Sequence, residues 1–271
     1  MTILMTGATG LVGSRLLKRL IAAGLDCRAI VRPGKALPQG MTAVEADLLD
    51  PATLDDAVEG VSAVVHLAAV FRTADTDAIW KANVDGTRNL IAAVKRRAPT
   101  ARFIMASTSL VYNADSPHPG LESDAITPQQ AYPASKVVAE QALRDSGLNW
   151  SILRFPFVYG DQDGHIEALP KIMEMFQWHP ATRLSIVHHR DIHTAVDLAL
   201  AGEFDGRIVN IVDDSSMSIY EMIKLIDGPV SPSSAPLPNP WFGQADGKLA
   251  RELGFRPVVA TLHQAVREGS L

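Results

Sequence analysis

Three glycines at i, i+3 and i+6 follow an apolar run at the very start of the chain, in Ile3-Leu4-Met5-Thr6-Gly7-Ala8-Thr9-Gly10-Leu11-Val12-Gly13. A strand must end and a helix begin within these few residues. Gly7 can take a positive φ at the turn out of the strand, and Gly10 lets the backbone approach a pyrophosphate with no Cβ in the way. Gly13 lets the helix pack closely on the strand. Free N–H groups at the helix start would then point at phosphate oxygens. A glycine pattern alone is a weak sign, and a merely tight turn is the plain alternative. Its place between a strand and a helix, in the first strand–helix–strand unit, is the context a dinucleotide site requires.

The rest of the chain supports that context. Short, largely apolar runs read as strands at 3–6, 27–31, 42–46, 63–67, 102–106, 150–155 and 207–212. Strands apolar throughout suit a parallel sheet covered on both faces. Helical patterns lie between them, at about 11–23 with Gly24 as stop, 50–60 with Asp50 as cap and Pro51 in the first turn, 77–97, and 133–146. Repeated units of this kind predict an α/β fold, a Rossmann-type doubly wound parallel sheet. Residues 1–155 read as the dinucleotide-binding domain, with strand 207–212 returning to it, and 156–271 as mostly a small substrate-binding lobe. That lobe reads as helices at 166–176, 192–201, 219–226, 245–253 and 262–267, with a Pro- and Ser-rich surface loop at 228–243.

At 271 residues and 47% hydrophobic composition the chain can fill such a core, and a net charge of -5 without a basic stripe gives no reason to expect nucleic acid as a partner. The one cysteine, Cys27, excludes an internal disulfide and reads as a buried thiol. No run approaches the length of a membrane span. Met1 leads straight into the first strand with no visible signal peptide, so a cytoplasmic location is expected.

Two further sites carry chemistry. Beyond the second strand, where an acid would hold the 2′-hydroxyl of NAD, the chain reads Ile30-Val31-Arg32-Pro33-Gly34-Lys35. Arg32 can instead take a 2′-phosphate, which favours NADP over NAD, although stacking of Arg32 on adenine would suit either. Asp47-Leu48, closing the third strand, is placed to meet the adenine edge, or is an ordinary turn carboxylate. Farther on, Tyr132-Pro133-Ala134-Ser135-Lys136 places a phenol and an ammonium at i and i+4, on one helix face. A free phenol has a pKa near ~10, too high for a base at neutral pH. A cation at ~4 Å with an effective dielectric of ~20 attracts the phenolate by about 4 kcal/mol at most, or roughly 3 pK units. That would bring Tyr132 into the range where general acid–base catalysis works, with Lys136 also holding a nicotinamide ribose.

Taken together, these stretches resemble an extended short-chain dehydrogenase/reductase of the epimerase/dehydratase branch, over nearly the whole length. The likeness runs through the Gly7–Gly13 turn, Asp47-Leu48, His66-Leu67-Ala68-Ala69, Asn83-Val84-Asp85-Gly86-Thr87, Ser107-Thr108 followed by Val111-Tyr112, Tyr132 with Lys136, Arg154-Phe155-Pro156-Phe157-Val158-Tyr159-Gly160, and Leu253-Gly254-Phe255 with Pro257. The resemblance implies a catalytic set of Thr108, Tyr132 and Lys136, with Thr108 preferred to Ser107 because it stands three before Val111. It implies a cofactor path along Gly7, Gly10, Leu11, Val12, Gly13, Arg32, Asp47, Leu48, Leu67, Ala68, Ala69, Tyr132, Lys136 and Pro156. Asn83 would have a structural or water-holding part. A homodimer through helices 77–97 and 133–146 is also implied.

The family runs one chemistry to several outcomes. The expected function is an NAD(P)-dependent oxidoreductase moving hydride to or from a small carbonyl or alcohol. The alternative is a sugar or nucleotide-sugar epimerase/dehydratase with tightly bound NAD. A cofactor-sensing binding protein is a third class, which the Thr108, Tyr132 and Lys136 set argues against. Phe157 stands where nucleotide-sugar enzymes usually carry an asparagine, and points to an apolar substrate. Against that, the polar loop Gly160-Asp161-Gln162-Asp163-Gly164 could meet a polar one. No metal is expected. In His188-His189-Arg190-Asp191-Ile192-His193 the resemblance implies a strand end capped by Asp191, and His165 and His179 read as surface residues.

Overall fold

The structure is a computed structural model, and it describes residues 1–32, 34 and 41–271. Pro33 and Lys35, beside Arg32 in the sequence, lie outside the described residues. Seven parallel strands form one sheet. The first half contributes β1 (Thr2–Thr6), helix α1 (Leu11–Ala22), β2 (Asp26–Val31), β3 (Thr42–Glu45), the short α2 (Leu54–Ala57) and β4 (Ala63–His66). Then come α3 (Thr76–Trp80), α4 (Gly86–Arg97), β5 (Arg102–Thr108), α5 (Ala131–Arg144) and β6 (Asn149–Phe155).

The remaining elements are β7 (Phe157–Tyr159), α6 (His165–Phe176), β8 (Arg183–Leu184), β9 (Ile186–His188), α7 (His189–Ala201), β10 (Arg207–Asn210), β11 (Met217–Ser218), α8 (Ile219–Leu225), α9 (Lys248–Glu252) and α10 (Leu262–Glu268). The sheet order is β10-β6-β5-β4-β1-β2-β3, so the direction of winding reverses between β1 and β4. Open α/β sheets bind their ligands at such a point, beyond the carboxyl ends of the strands.

Alternate residues of each strand enter two separate cores. Ile3, Met5, Ala29, Val65 and Ile104 face α1 and α7, against Leu16, Leu17, Leu20, Ile192 and Val196. Leu4, Ile30, Val64, Phe103 and Met105 face α2, α4 and α5, against Leu54, Leu90, Val94, Ala139 and Leu143. This period of two, with both faces buried, is why the strands read as unbroken apolar runs. Each leucine so buried contributes about 1.5–3 kcal/mol. A third core, around Tyr159, Ile166, Leu169, Ile186, Met222 and Leu262, gathers α6, α8 and α10 with the short strands. β7 pairs with β9 in parallel and β8 with β11 antiparallel. These strands of two or three residues are too short to show a pattern in sequence.

The helix expected over 77–97 is interrupted. Between α3 and α4 lies one π-helical turn, Lys81–Asp85. Its buried Asn83 takes the Val70 N–H on Oδ1 at 2.8 Å and gives Nδ2–H to Val70 O at 3.1 Å and Ser135 Oγ at 3.0 Å. A wider turn is the usual way to direct one helical side chain out of the regular register.

Candidate active site

The glycine turn fulfils its steric requirements. Gly7 has φ +72°, and a Cβ there would stand 2.6 Å from Ala68 N. A Cβ on Gly13 would overlap the Gly7 carbonyl oxygen. At Gly10 the nearest atom to such a Cβ is Gly7 O, at 3.2 Å, so that position is closed less by the fold than by whatever approaches it. Gly10 caps α1 with no side-chain hydrogen bond, and the first turn carries no acid. The helix start thus keeps unshared N–H groups and the positive end of its dipole, which is the donor set a pyrophosphate needs.

Three buried side chains brace this turn. With Thr6 Oγ1 accepting the Ala68 N–H at 3.1 Å, its own proton goes to His66 Nδ1 at 2.7 Å. His66 Nε2 then donates to Thr87 Oγ1 at 2.9 Å, and Thr87 donates to Asn83 O at 2.6 Å. One tautomer of His66 satisfies every partner. Burial pushes the imidazole down to about 3, with Lys136 adding to the effect, so the ring is neutral. The chain of bonds fastens β1, the loop after β4 and α4 to one another, and with them Leu67, Ala68 and Ala69 beside Gly7.

Apart from Tyr132 and Lys136 on α5, the expected cofactor residues follow carboxyl ends of strands. Gly7 follows β1, Arg32 β2, Asp47 β3, Leu67 β4 and Pro156 β6. Arg32 is exposed. One carboxylate oxygen of Asp47 accepts the Leu49 N–H at 2.9 Å, the plain turn role. Leu48 packs its side chain toward Gly86, and its carbonyl takes Asn89 Nδ2–H at 2.9 Å.

Thr108 ends β5, and its buried hydroxyl accepts the Leu110 N–H at 3.1 Å. The neighbouring Ser107 gives its proton to the Glu140 carboxylate instead. Glu140 pairs with Arg154 at 2.6 Å and 3.1 Å in a forked, buried contact. Arg154 also donates to the Tyr112 hydroxyl at 3.2 Å, and Tyr112 donates to Asn210 Oδ1 at 2.6 Å. This network ties β5, α5, β6 and β10 together under the site, and it leaves Ser107 without a proton to offer.

Tyr132 and Lys136 lie in the first half of α5, as their spacing predicts. The electrostatics differ from the expectation. Burial pushes the Tyr132 phenol up to about 12, and the positive charge that opposes this is Arg72, not Lys136. Lys136 itself is buried and pushed down to about 8, with the Glu140 carboxylate pulling the other way. Desolvation outweighs the charge attraction in both groups, with Lys136 buried and Tyr132 half-buried.

Arg72 and Phe71 escaped sequence reasoning; they lie in a loop with no periodic pattern. The Phe71 ring is 4.3 Å from that of Tyr132, centroid to centroid.

Other expectations need correction. The 160–164 loop is a structural joint. Asp161 pairs with Arg19 at 2.7 Å, its carbonyl accepts from Arg15, and its N–H bonds Ser270 O at 2.9 Å. The cap of α7 is His188, whose Nδ1 accepts the Arg190 N–H at 3.1 Å. Asp191 sits inside the first turn, fully buried, and receives the Val258 N–H at 2.5 Å. His189 bonds Asp163 at 2.8 Å. Neither His165 nor His179 is a free surface residue: His165 Nδ1 bonds Val158 O at 2.9 Å and His179 Nε2 bonds Ala235 O at 3.1 Å.

Comparison with known proteins agrees with this architecture. The chain is 25% identical over 79% of its length to a sterol-4-alpha-carboxylate 3-dehydrogenase, decarboxylating, of Dictyostelium discoideum, covering 72% of that protein. It is 33% identical over 64% of its length to a 2-alkyl-3-oxoalkanoate reductase of Stenotrophomonas maltophilia, covering 55% of it. The solved structure of MoeE5 with UDP-glucuronic acid and NAD superposes with a TM-score of 0.80 at 25% identity, over 98% of this chain and 97% of that one. The sequence model of the NAD dependent epimerase/dehydratase family matches residues 3–211, and the chain belongs to that family.

Proposed function

We propose that the protein is an NAD(P)-dependent oxidoreductase that moves hydride to or from a small carbonyl or alcohol compound. The observation that carries this is the pairing of a phosphate-shaped glycine turn with a Thr108 hydroxyl that keeps its proton, on the same sheet edge. The relatives whose names describe a dehydrogenase or a reductase support it. The dinucleotide, when bound, supplies or accepts the hydride. Gly7, Gly10 and Gly13 with Leu11 and Val12 would hold its pyrophosphate, and Leu67, Ala68 and Ala69 would line its path. Asp47 and Leu48 would meet the adenine, Pro156 the nicotinamide, and Lys136 the ribose. Arg32 would take a 2′-phosphate, making NADP the preferred form.

In the reducing direction Tyr132 Oη gives its proton to the carbonyl oxygen, and Thr108 Oγ1–H donates a hydrogen bond to the same oxygen. A phenol held high is protonated at neutral pH, the state needed to act as the acid. In the oxidising direction the same oxygen must receive the proton, and the charge that opposes burial at this phenol is that of Arg72. Phe157, half-buried on β7, offers an apolar wall to the substrate. Residues around the third core would form the substrate lobe. The assembly implied is a homodimer through α4 and α5.

A second reading, a nucleotide-sugar epimerase or dehydratase with resident NAD, is favoured by the likeness to MoeE5. Acid release and chromatography of nucleotide from purified protein separates the two. Little bound nucleotide, with NADPH binding more tightly than NADH, supports the exchanging oxidoreductase. Near-stoichiometric NAD overturns it in favour of the second reading. Tyr132→Phe, retaining cofactor affinity but losing turnover, excludes a binding protein.

A further inference from the structure

A continuous line of contacts runs outward from Tyr132. Its ring meets Phe71 at 4.3 Å, and the Arg72 guanidinium lies 5.1 Å from the Phe71 centroid. Arg72 Nη1 reaches His165 Nε2 at 3.5 Å, and the His165 ring lies 5.5 Å from Phe157. With the Nδ1 proton of His165 given to Val158 O, Nε2 is the acceptor that steadies the guanidinium. Two different parts of the fold therefore hold one cation: the loop after β4 and the start of α6.

Arg72 is also held in an unusual backbone state. Its φ is 58°, in the left-handed region that non-glycine residues seldom adopt. An exposed arginine on an unconstrained loop would relax out of it. Among the described residues Arg72 has no carboxylate partner, whereas other arginines do, such as Arg97 with Glu59 at 2.5 Å. An exposed guanidinium stacked on Phe71 and steadied by His165, with no carboxylate partner among the described residues and with Phe71 between it and the Tyr132 ring, is a binding group for an anion. Phe71 and Phe157 on either side are apolar, so the anion must belong to a molecule with a hydrocarbon body.

We propose that Arg72 is a specificity-determining residue that binds a carboxylate of the substrate, and that the substrate class is a hydroxy or oxo acid with an apolar chain. This rests on the oxidoreductase reading for its chemistry but not for its binding. Arg72 makes the ion pair with two parallel N–H···O bonds, Phe71 and Phe157 cover the chain, and the carbinol or carbonyl falls between Arg72 and Tyr132. In the 160–164 loop Asp161 is engaged by Arg15 and Arg19 and Asp163 by His189 and the His165 N–H, so neither carboxylate pairs with Arg72.

The test uses 3-hydroxyoctanoate and its methyl ester, which differ by the charge. Binding is measured by calorimetry on enzyme saturated with reduced dinucleotide, where an alcohol cannot react; turnover is measured with the oxidised dinucleotide. The expected result is an acid-over-ester preference of at least tenfold in the wild type, collapsing in Arg72→Met and partly kept in Arg72→Lys. Equal binding of acid and ester by the wild type, binding of neither, or a preference that Arg72→Met leaves intact overturns the assignment. Binding with that Arg72-dependent preference but no turnover keeps the carboxylate site and sinks the oxidoreductase reading instead.

Discussion

Ser107 and Thr108 are neighbours at the end of β5, yet their hydroxyls have opposite commitments. Ser107 spends its proton on Glu140, while Thr108 accepts from Leu110 N–H and keeps its own. Thr108→Ala should therefore lower kcat by about 10²–10³-fold, the size of effect seen when one donor to a reacting oxygen is removed, with little change in melting temperature. Ser107→Ala should do the reverse, lowering stability by about 1–3 kcal/mol through the under-satisfied Glu140 while kcat stays within a few-fold. Steady-state kinetics and denaturant unfolding on the two variants check this, and exchanged outcomes would assign the reacting hydroxyl to Ser107.

Gly10→Ala should separate binding from folding. A Cβ there has only the Gly7 carbonyl oxygen nearby, at 3.2 Å, whereas one on Gly13 collides with the turn itself. Gly10→Ala is expected to stay folded and to lose dinucleotide affinity by tenfold or more, read by nucleotide fluorescence titration. Gly13→Ala is expected to fold poorly. Unchanged affinity in Gly10→Ala would remove the pyrophosphate from this turn.

The buried Lys136 predicts a basic limb in the pH profile. Its ammonium, pushed down to about 8 by burial, is charged below that pH and lost above it. Because kcat/KM for the dinucleotide reports the free enzyme, it should fall above about pH 8. Lys136→Arg, which stays cationic, should lack that limb. A wild-type profile flat to pH 10 would contradict the role given to the charge.

His66 predicts a stability slope on the acid side. Its folded-state value, about 3, lies below the ordinary 6.5, so between these the unfolded chain binds the extra proton. Stability from this residue is whole above pH 6.5 and is lost as pH falls toward 3, at about 1.4 kcal/mol per pH unit. Asp213 and Asp191, pushed up to about 8 and about 6 by burial, tilt the opposite way, since there the folded chain binds more protons. The informative quantity is therefore the difference between wild type and His66→Gln in denaturant unfolding from pH 7 to 4. A constant difference across that range would show that His66 takes up its proton in the folded state.

Much of this protein was legible in sequence because the signals are local. The alternation of apolar runs with helical patterns specified the seven-stranded doubly wound sheet. Gly7 and Gly13 announced their turn because backbone geometry there tolerates nothing larger, and Tyr132 and Lys136 share a helix face by spacing alone. What only the tertiary structure decided depends on groups far apart in the chain. The chain of bonds from Thr6 through His66 to Thr87, the pairing of Glu140 with Arg154, and the approach of Phe71 and Arg72 to Tyr132 have no sequence period to reveal them. The charge state of Tyr132 belongs here too: spacing supplies the lysine, but the desolvation that outweighs it is a property of the packed fold.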